Sequence, residues 1–199
     1  MNENHDPNNS KFEVILADPP WYYRNQGTRA AAEKHYRTIR RSDLELLPVQ
    51  YYAAERCALF LWATWPNIKQ ALKVMESWGF RYKTLAWEWF KTTKDGEKFT
   101  IGLGNYTRAN CEPCLLGFRG KPIKVSDRSI RAYIVAPRRE HSRKPDEQYE
   151  KIEKLYPDAP KLELFATQIQ PGWDAWGDEV ESTVEILPDW LKETLKKNG

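Results

Sequence analysis

Apolar residues in this chain fall in short dense runs, separated by polar stretches rich in turn formers. Phe12 to Ala17 reads Phe-Glu-Val-Ile-Leu-Ala and stops at Asp18-Pro19-Pro20, which predicts a buried strand carrying that motif at its C-terminal end. Trp21 to Arg41 is polar and predicts a long loop beside the end of that strand. Ser42 is placed to cap a short helix over residues 43 to 54. Cys57 to Ala63 predicts a second buried strand. Pro66 can sit in the first turn of a helix running to about Trp78, with Gly79 ending it. Tyr82 to Phe90, Glu112 to Phe118 and Ile130 to Ala136 are strand-like. A polar loop with three glycines spans residues 91 to 107, and a charged turn spans 119 to 128. Pro145 to Leu155 predicts a helix with Asp146 and Glu147 in its first turn, where they suit the helix dipole. Lys161 to Ala166 predicts a last buried strand, and Leu187 to Lys197 a closing helix.

Strands alternating with helices indicate an α/β layered sheet. The expected organisation is a single domain over residues 11–199, after a polar, disordered tail at residues 1–10. Ligands of such sheets sit beyond the carboxyl ends of the strands. Asp18 to Trp21 and the stretch after Phe165 would both lie there.

Composition narrows the classes. No apolar run approaches the ~20 residues of a membrane helix, and three cysteines without a signal peptide point to a reducing, cytoplasmic setting. No Gly-x-Gly-x-x-Gly or phosphate loop is present, which argues against a dehydrogenase or a nucleotide hydrolase. Cys111 and Cys114 have metal-ligand spacing, but the remaining Cys57 and the three histidines are scattered, so no metal site is expected. A net charge of +3 permits nucleic acid without demanding it, and 9 Trp and 10 Tyr supply flat faces for a core or for bases.

Asp18-Pro19-Pro20-Trp21 has a definite chemical use. An exocyclic base amine is a poor nucleophile because its lone pair is delocalised into the ring. Two acceptors for its two N–H groups favour the pyramidal shape needed to attack. The Asp18 carboxylate supplies one, and the Pro19 carbonyl is a candidate for the other. Consecutive prolines fix φ and remove competing N–H donors. Trp21, Tyr22 or Tyr23 could stack on a base that is extruded or already single-stranded. Taken alone, the four residues serve equally well as a strand-ending turn with a core tryptophan.

Seven blocks in order carry a resemblance over nearly the whole chain. They are Leu16 to Trp21, Leu59 to Trp62, Trp78 to Phe80, Glu112 to Gly117, Arg143 to Glu147, Leu162 to Ala166 and Pro171 to Gly177. In these the chain resembles the family of the eukaryotic mRNA adenine-N6 methyltransferase and its bacterial and phage relatives. The resemblance implies a permuted Rossmann-like methyltransferase fold, a mixed sheet flanked by helices. It implies methylation of the N6 amine of adenine, with S-adenosylmethionine as cofactor. Asp18, Pro19, Pro20 and Trp21 would be catalytic. Lys144 would contact the cofactor carboxylate and Glu163 its ribose, while Asp178 and Glu179 would meet the adenosine half; Asp18 also borders the cofactor. Glu112, Tyr22 and Tyr36 would line the substrate site. Two departures touch the ribose region: Thr167 stands where the family usually has Arg, and Asp178 where it often has Asn.

Two basic clusters flank the proposed site. Arg37 and Arg40, beside Arg41, form one; Arg138 and Arg139, near Arg143, form the other, and both are candidate phosphate contacts. Lys91, Lys94 and Lys98 are weaker ones. DNA is the expected partner ahead of RNA, with no membrane, and a homodimer or accessory subunit could supply base readout. The rival readings are an RNA adenosine methyltransferase, a cytosine-amine methyltransferase, and an inactive nucleic-acid-binding partner subunit.

Overall fold

The computed structural model describes residues 11–21, 41–102, 106–139 and 143–186. In chain order its elements are β1 (Phe12–Ala17), α1 (Arg41–Glu45), β2 (Ala53–Trp62), α2 (Ile68–Ser77), β3 (Arg81–Thr92), β4 (Cys111–Arg119), β5 (Tyr133–Pro137), α3 (Glu147–Leu155), β6 (Lys161–Leu164) and β7 (Asp174–Trp176). The strands join in one sheet in the order β5-β3-β4-β2-β1-β6-β7.

Strand β1 is central and buried apart from Glu13, as its apolar run requires. It runs parallel to β2 on one side and to β6 on the other. Strand β7 continues the parallel set beyond β6, and β5 runs parallel to β3. Strand β4 alone is reversed, antiparallel to both β2 and β3. The carboxyl ends of six strands and the amino end of β4 therefore line a single edge. The chain leaves β1 toward β2 on one side and returns late through β6 on the other. The ends of β1 and β6 thus flank the switch point at which open α/β sheets place ligands.

Helices cover both faces. Ala71, Val74 and Met75 recur at helical spacing and bury α2 against Phe12, Ile15, Leu59 and Leu61. Tyr149 and Ile152 of α3 pack on the other face with Val14, Leu16, Phe60, Trp62, Trp87 and Trp89. Phe12 and Ile15 share a face despite their odd spacing because the β1–β2 register shifts between Phe12 and Val14. The result is the Rossmann-like α/β architecture expected from the sequence.

Several boundaries differ from the sequence expectation. The helix expected over 43 to 54 is only Arg41–Glu45, with Ser42 inside it rather than capping it. Pro48 disfavours helical geometry at Leu47, and a 3₁₀ turn at Val49–Tyr51 leads into β2, which starts four residues earlier than expected. The α2 helix follows a 3₁₀ turn at Trp65–Asn67 and gives way at Gly79, whose φ is +84°. Helix α3 begins at Glu147 rather than at Pro145. The last strand of the expectation stops at Leu164, because Phe165 takes a left-handed φ of 62°. Strand β7 was not foreseen; three residues are too few for a periodic signal. The expected N-terminal tail, the loop over 22 to 40 and the closing helix lie outside the described residues. Among the described residues no helix is long and apolar enough to cross a membrane.

The turn from β6 to β7 depends on close backbone approach. The Ala166 N–H donates to the Trp176 carbonyl at 3.0 Å. A Cβ on Gly177 would collide with the Ala166 carbonyl and lie 2.7 Å from its nitrogen. Backbone cannot yield as a flexible side chain would, so Gly177→Ala should cost about 2 kcal/mol, lowering Tm by roughly 4–8 °C. A thermal melt checks this, and an unchanged Tm would show that the β6–β7 turn is not tightly packed.

Candidate active site

Asp18 follows β1 directly and stands at the shared edge. Its Oδ2 accepts a 2.6 Å bond from Lys144 Nζ, a residue that precedes α3. Lys144 also lies 3.5 Å from Glu112 Oε2 at the start of β4, and Glu112 Oε1 is ion-paired with Lys91 at the end of β3. Two carboxylates and two ammonium groups thus alternate along the edge. Each ammonium sits over a tryptophan: Lys144 Nζ is 5.4 Å from the Trp62 ring centroid, and Lys91 Nζ is 4.7 Å from that of Trp89. The two indoles meet edge to face.

This electrostatic arrangement explains the ionisation of each group. Burial raises the Asp18 carboxyl above its usual range, and Lys144 opposes that rise. Burial works against charge on Glu112 too, but Lys144 and Lys91 outweigh it and hold the group below its usual range. Burial disfavours the Lys144 ammonium, yet Asp18 and Glu112 together lift it above its usual value. The ammonium therefore keeps its proton between two carboxylates.

Trp21 fixes the motif in place. Its Nε1–H donates to the Trp62 carbonyl at 2.9 Å, and Trp62 Nε1–H donates to Gln148 Oε1 of α3 at 2.7 Å. Trp21 is only 6 % exposed and packs in the core cluster beside α1 and α2. That burial leaves little of the ring open to stack on a base. Its part in the site is anchorage of the Asp-Pro-Pro turn to β2.

A cleft opens between the ends of β1 and β6, lined by Asp18, Lys144, Gln148, Tyr149, Glu163 and Thr167, among others. Glu163 is 8 % exposed. Tyr149 Oη lies 3.0 and 3.1 Å from its two oxygens, and Gln168 Nε2 donates to the same hydroxyl at 3.3 Å. A single O–H cannot satisfy two buried carboxylate oxygens, so among the described residues Glu163 is short of donors. Burial raises its pKa to about 7, against the pull of the Tyr149 hydroxyl and with a further push from Asp18.

With this geometry in view, the comparisons with known proteins are decisive. The family model MT-A70 matches residues 12–179. The chain belongs to the MT-A70 family. It is 34 % identical over 196 residues to the Type II methyltransferase M.MunI of Mycoplasma sp, covering 88 % of this chain and 81 % of that protein. It is 30 % identical to the human N(6)-adenosine-methyltransferase catalytic subunit METTL3 over 90 % of this chain and 30 % of METTL3. It is 29 % identical to the human N(6)-adenine-specific methyltransferase METTL4 over 85 % of this chain and 37 % of METTL4.

The candidate site residues of this MT-A70 chain do not all come together. Asp18, Glu112, Lys144 and Glu163 meet at one edge. Arg139 and Arg143 turn to Asp146 at 2.7 and 3.1 Å, whereas Arg138, just past β5, is exposed. Asp178 and Glu179 follow β7 at the same edge, exposed and away from the cleft lining. Thr167, the first departure from the family pattern, lines the cleft, and Asp178, the second, does not. Tyr22, Tyr36, Arg37 and Arg40 lie outside the described residues. Sequence reasoning missed Trp62, Gln148 and Tyr149 as parts of the site, since Trp62 ends an apolar strand that reads as core and the other two sit on an otherwise charged helix.

Glu163 gives the site a pH signature. Its folded-state pKa of about 7 exceeds its ordinary 4.5, so between those values the folded protein binds more protons than the unfolded chain. Stability should therefore fall as pH rises through that window, by roughly 3 kcal/mol at most. Glu163→Gln keeps the shape and removes the titration. Urea unfolding should find the variant and the parent alike near pH 5 and the variant more stable at pH 8. Equal differences at both pH values would show that Glu163 is not held above its ordinary range.

Proposed function

We propose that this chain transfers a methyl group from S-adenosylmethionine to the N6 amine of adenine in nucleic acid, with DNA preferred over RNA. The observation that carries the reading is the Asp18–Lys144 pair at the switch point. It sets a half-buried carboxylate and its buried counter-ion beside a donor-poor Glu163 within one cleft. The preference for DNA rests on likeness over most of the length of M.MunI, against less than a third of METTL3.

The residues present fit the cofactor. Lys144 offers a cation to its carboxylate. Glu163, with two oxygens and one shared donor, is suited to accept both ribose hydroxyls. Thr167 offers that region a hydroxyl in place of the usual arginine's charge. Bound S-adenosylmethionine supplies an electrophilic methyl on a sulfonium.

The chain's own work is positioning. Lys144 occupies Asp18 Oδ2, which leaves Oδ1 to accept an N–H of the target amine. The buried Pro19 can present its carbonyl to the second N–H, and both prolines withhold competing donors. Two acceptors on one nitrogen favour the pyramidal form that exposes its lone pair. Trp21 holds the turn still while this happens. Arg138 and the basic residues at 37 and 40 are the proposed phosphate contacts. The setting is cytoplasmic in this reading, and base readout around the adenine would come from a homodimer or an accessory subunit.

Nucleoside mass spectrometry after reaction with a panel of DNA and RNA oligonucleotides tests the substrate. N6-methyladenine in DNA is expected; modification of RNA alone, or of cytosine, would overturn the assignment. Asp18→Ala should lower kcat by about 10²-fold or more and leave cofactor Kd within a few-fold, whereas Lys144→Ala should raise that Kd by about tenfold or more. Calorimetry and initial rates read both. An active Asp18→Ala enzyme would remove Asp18 from the chemistry.

A further inference from the structure

Lys91 closes a line of alternating charges whose far end is Asp18. Its ammonium is ion-paired with Glu112 Oε1, Glu112 Oε2 lies 3.5 Å from Lys144 Nζ, and Lys144 Nζ reaches Asp18 Oδ2 at 2.6 Å. Side-chain exposures of 19 % for Lys91 and Glu112 and 9 % for Lys144 keep those three mostly out of water, while Asp18, at 32 %, opens to the cleft. Lys144 has two carboxylates beside it, one at contact distance and one nearly 1 Å farther away. That difference decides which carboxylate owns the ammonium.

We propose that Lys91 is a positioning residue for Asp18, neutralising Glu112 so that Lys144 stays committed to the Asp18 carboxylate. Without the Lys91 ammonium, Glu112 would be a buried anion whose nearest cation is Lys144. Lys144 would shift toward it, and Asp18 would lose both its counter-ion and its fixed orientation. Two further observations place Lys91 where it can act in this way. Its backbone is pinned by hydrogen bonds to Asn110 and Thr100 across the β3–β4 connection, and its ammonium rests over the Trp89 ring. Trp89 in turn packs edge to face on Trp62, the platform of Lys144. Residues 91 and 144 are thus two matched cation–indole units bridged by Glu112.

Among the described residues, the charged and titratable groups around Asp18 are Lys144 and Arg143 before α3, Tyr149 on α3, Glu112 and Cys114 on β4, Lys91 on β3 and Glu163 on β6. Of these, Lys91 makes no hydrogen bond or ion pair with Asp18, although its charge also pulls the Asp18 carboxyl down directly. Burial already lifts the Asp18 carboxyl, so weakening its link to Lys144 must lift it further.

That Asp18 acts as a carboxylate in methyl transfer rests on the proposed function; its placement through Lys91 does not. The test is a ¹³C NMR titration of the Asp18 carboxyl in cofactor-free protein, assigned by its loss in Asp18→Asn. Lys91→Met should raise its midpoint by about one unit. Lys91→Arg should keep the midpoint of the parent. Lys91→Met combined with Glu112→Gln should return it to the parent value or below, because the competing carboxylate is gone. Glu112→Gln alone, which serves if Lys91→Met does not fold, should lower it. An unmoved midpoint in Lys91→Met or in Glu112→Gln overturns the proposal, as does a double variant that keeps the Lys91→Met midpoint. The acid limb of kcat/KM should follow the NMR midpoint in each variant. A midpoint that moves while the rate profile stays fixed upholds the placement and overturns the carboxylate role of Asp18 instead.

Discussion

The ion pair between Asp18 and Lys144 is the constraint around which the rest of the molecule is arranged. It joins residues 126 positions apart and ties the end of the central strand to the segment leading into α3. A carboxylate and an ammonium taken out of water are stable only when each is well paired, and breaking such a pair from one side is strongly unfavourable. The structure meets that demand with Glu112 and Lys91 on one flank and the Trp62 face beneath. Trp62 serves three of these contacts: its carbonyl receives Trp21, its Nε1–H goes to Gln148, and its ring supports the ammonium.

The sheet makes this possible by sending every relevant chain end to one edge. Reversal of β4 alone brings Glu112 to the same edge as the carboxyl ends of β1, β3 and β6. The edge then divides in two about Asp18. Toward β6 lie Glu163, Thr167 and a buried hydroxyl, a set suited to a neutral diol. Toward β4 and β3 lie the paired charges. A single aspartate stands between the two halves, directly after β1.

Much of this was legible in the sequence, and the failures have identifiable causes. Phe12 to Ala17 and Cys57 to Ala63 are apolar runs with sharp stops, so their strands could be read directly. The Asp-Pro-Pro turn announced a rigid acceptor, and Glu163 entered through the family resemblance. Trp21 stays open in the sequence, because a tryptophan beside a candidate catalytic residue reads equally as a stacking face or as core; its 6 % exposure puts it with the core. Lys91 reads in the sequence as a loop lysine and a weaker phosphate contact, because its partner Glu112 is 21 residues away and the antiparallel β3–β4 pairing that brings them together leaves no local signal. Tyr149 and Gln148 lie on the buried face of an otherwise charged helix, where a polar pair is visible only once the opposing strand ends are known. The left-handed residue at Phe165 could not be foreseen, since nothing in Leu-Phe-Ala favours that conformation.

A double-mutant cycle on Asp18→Asn and Lys144→Met, read by urea unfolding at neutral pH, bears most directly on the claim that this pair organises the site. A coupling of roughly 1–3 kcal/mol between the two positions is the predicted result. Effects that add to within about 0.5 kcal/mol would mean that the two charges do not hold each other, and would contradict the account.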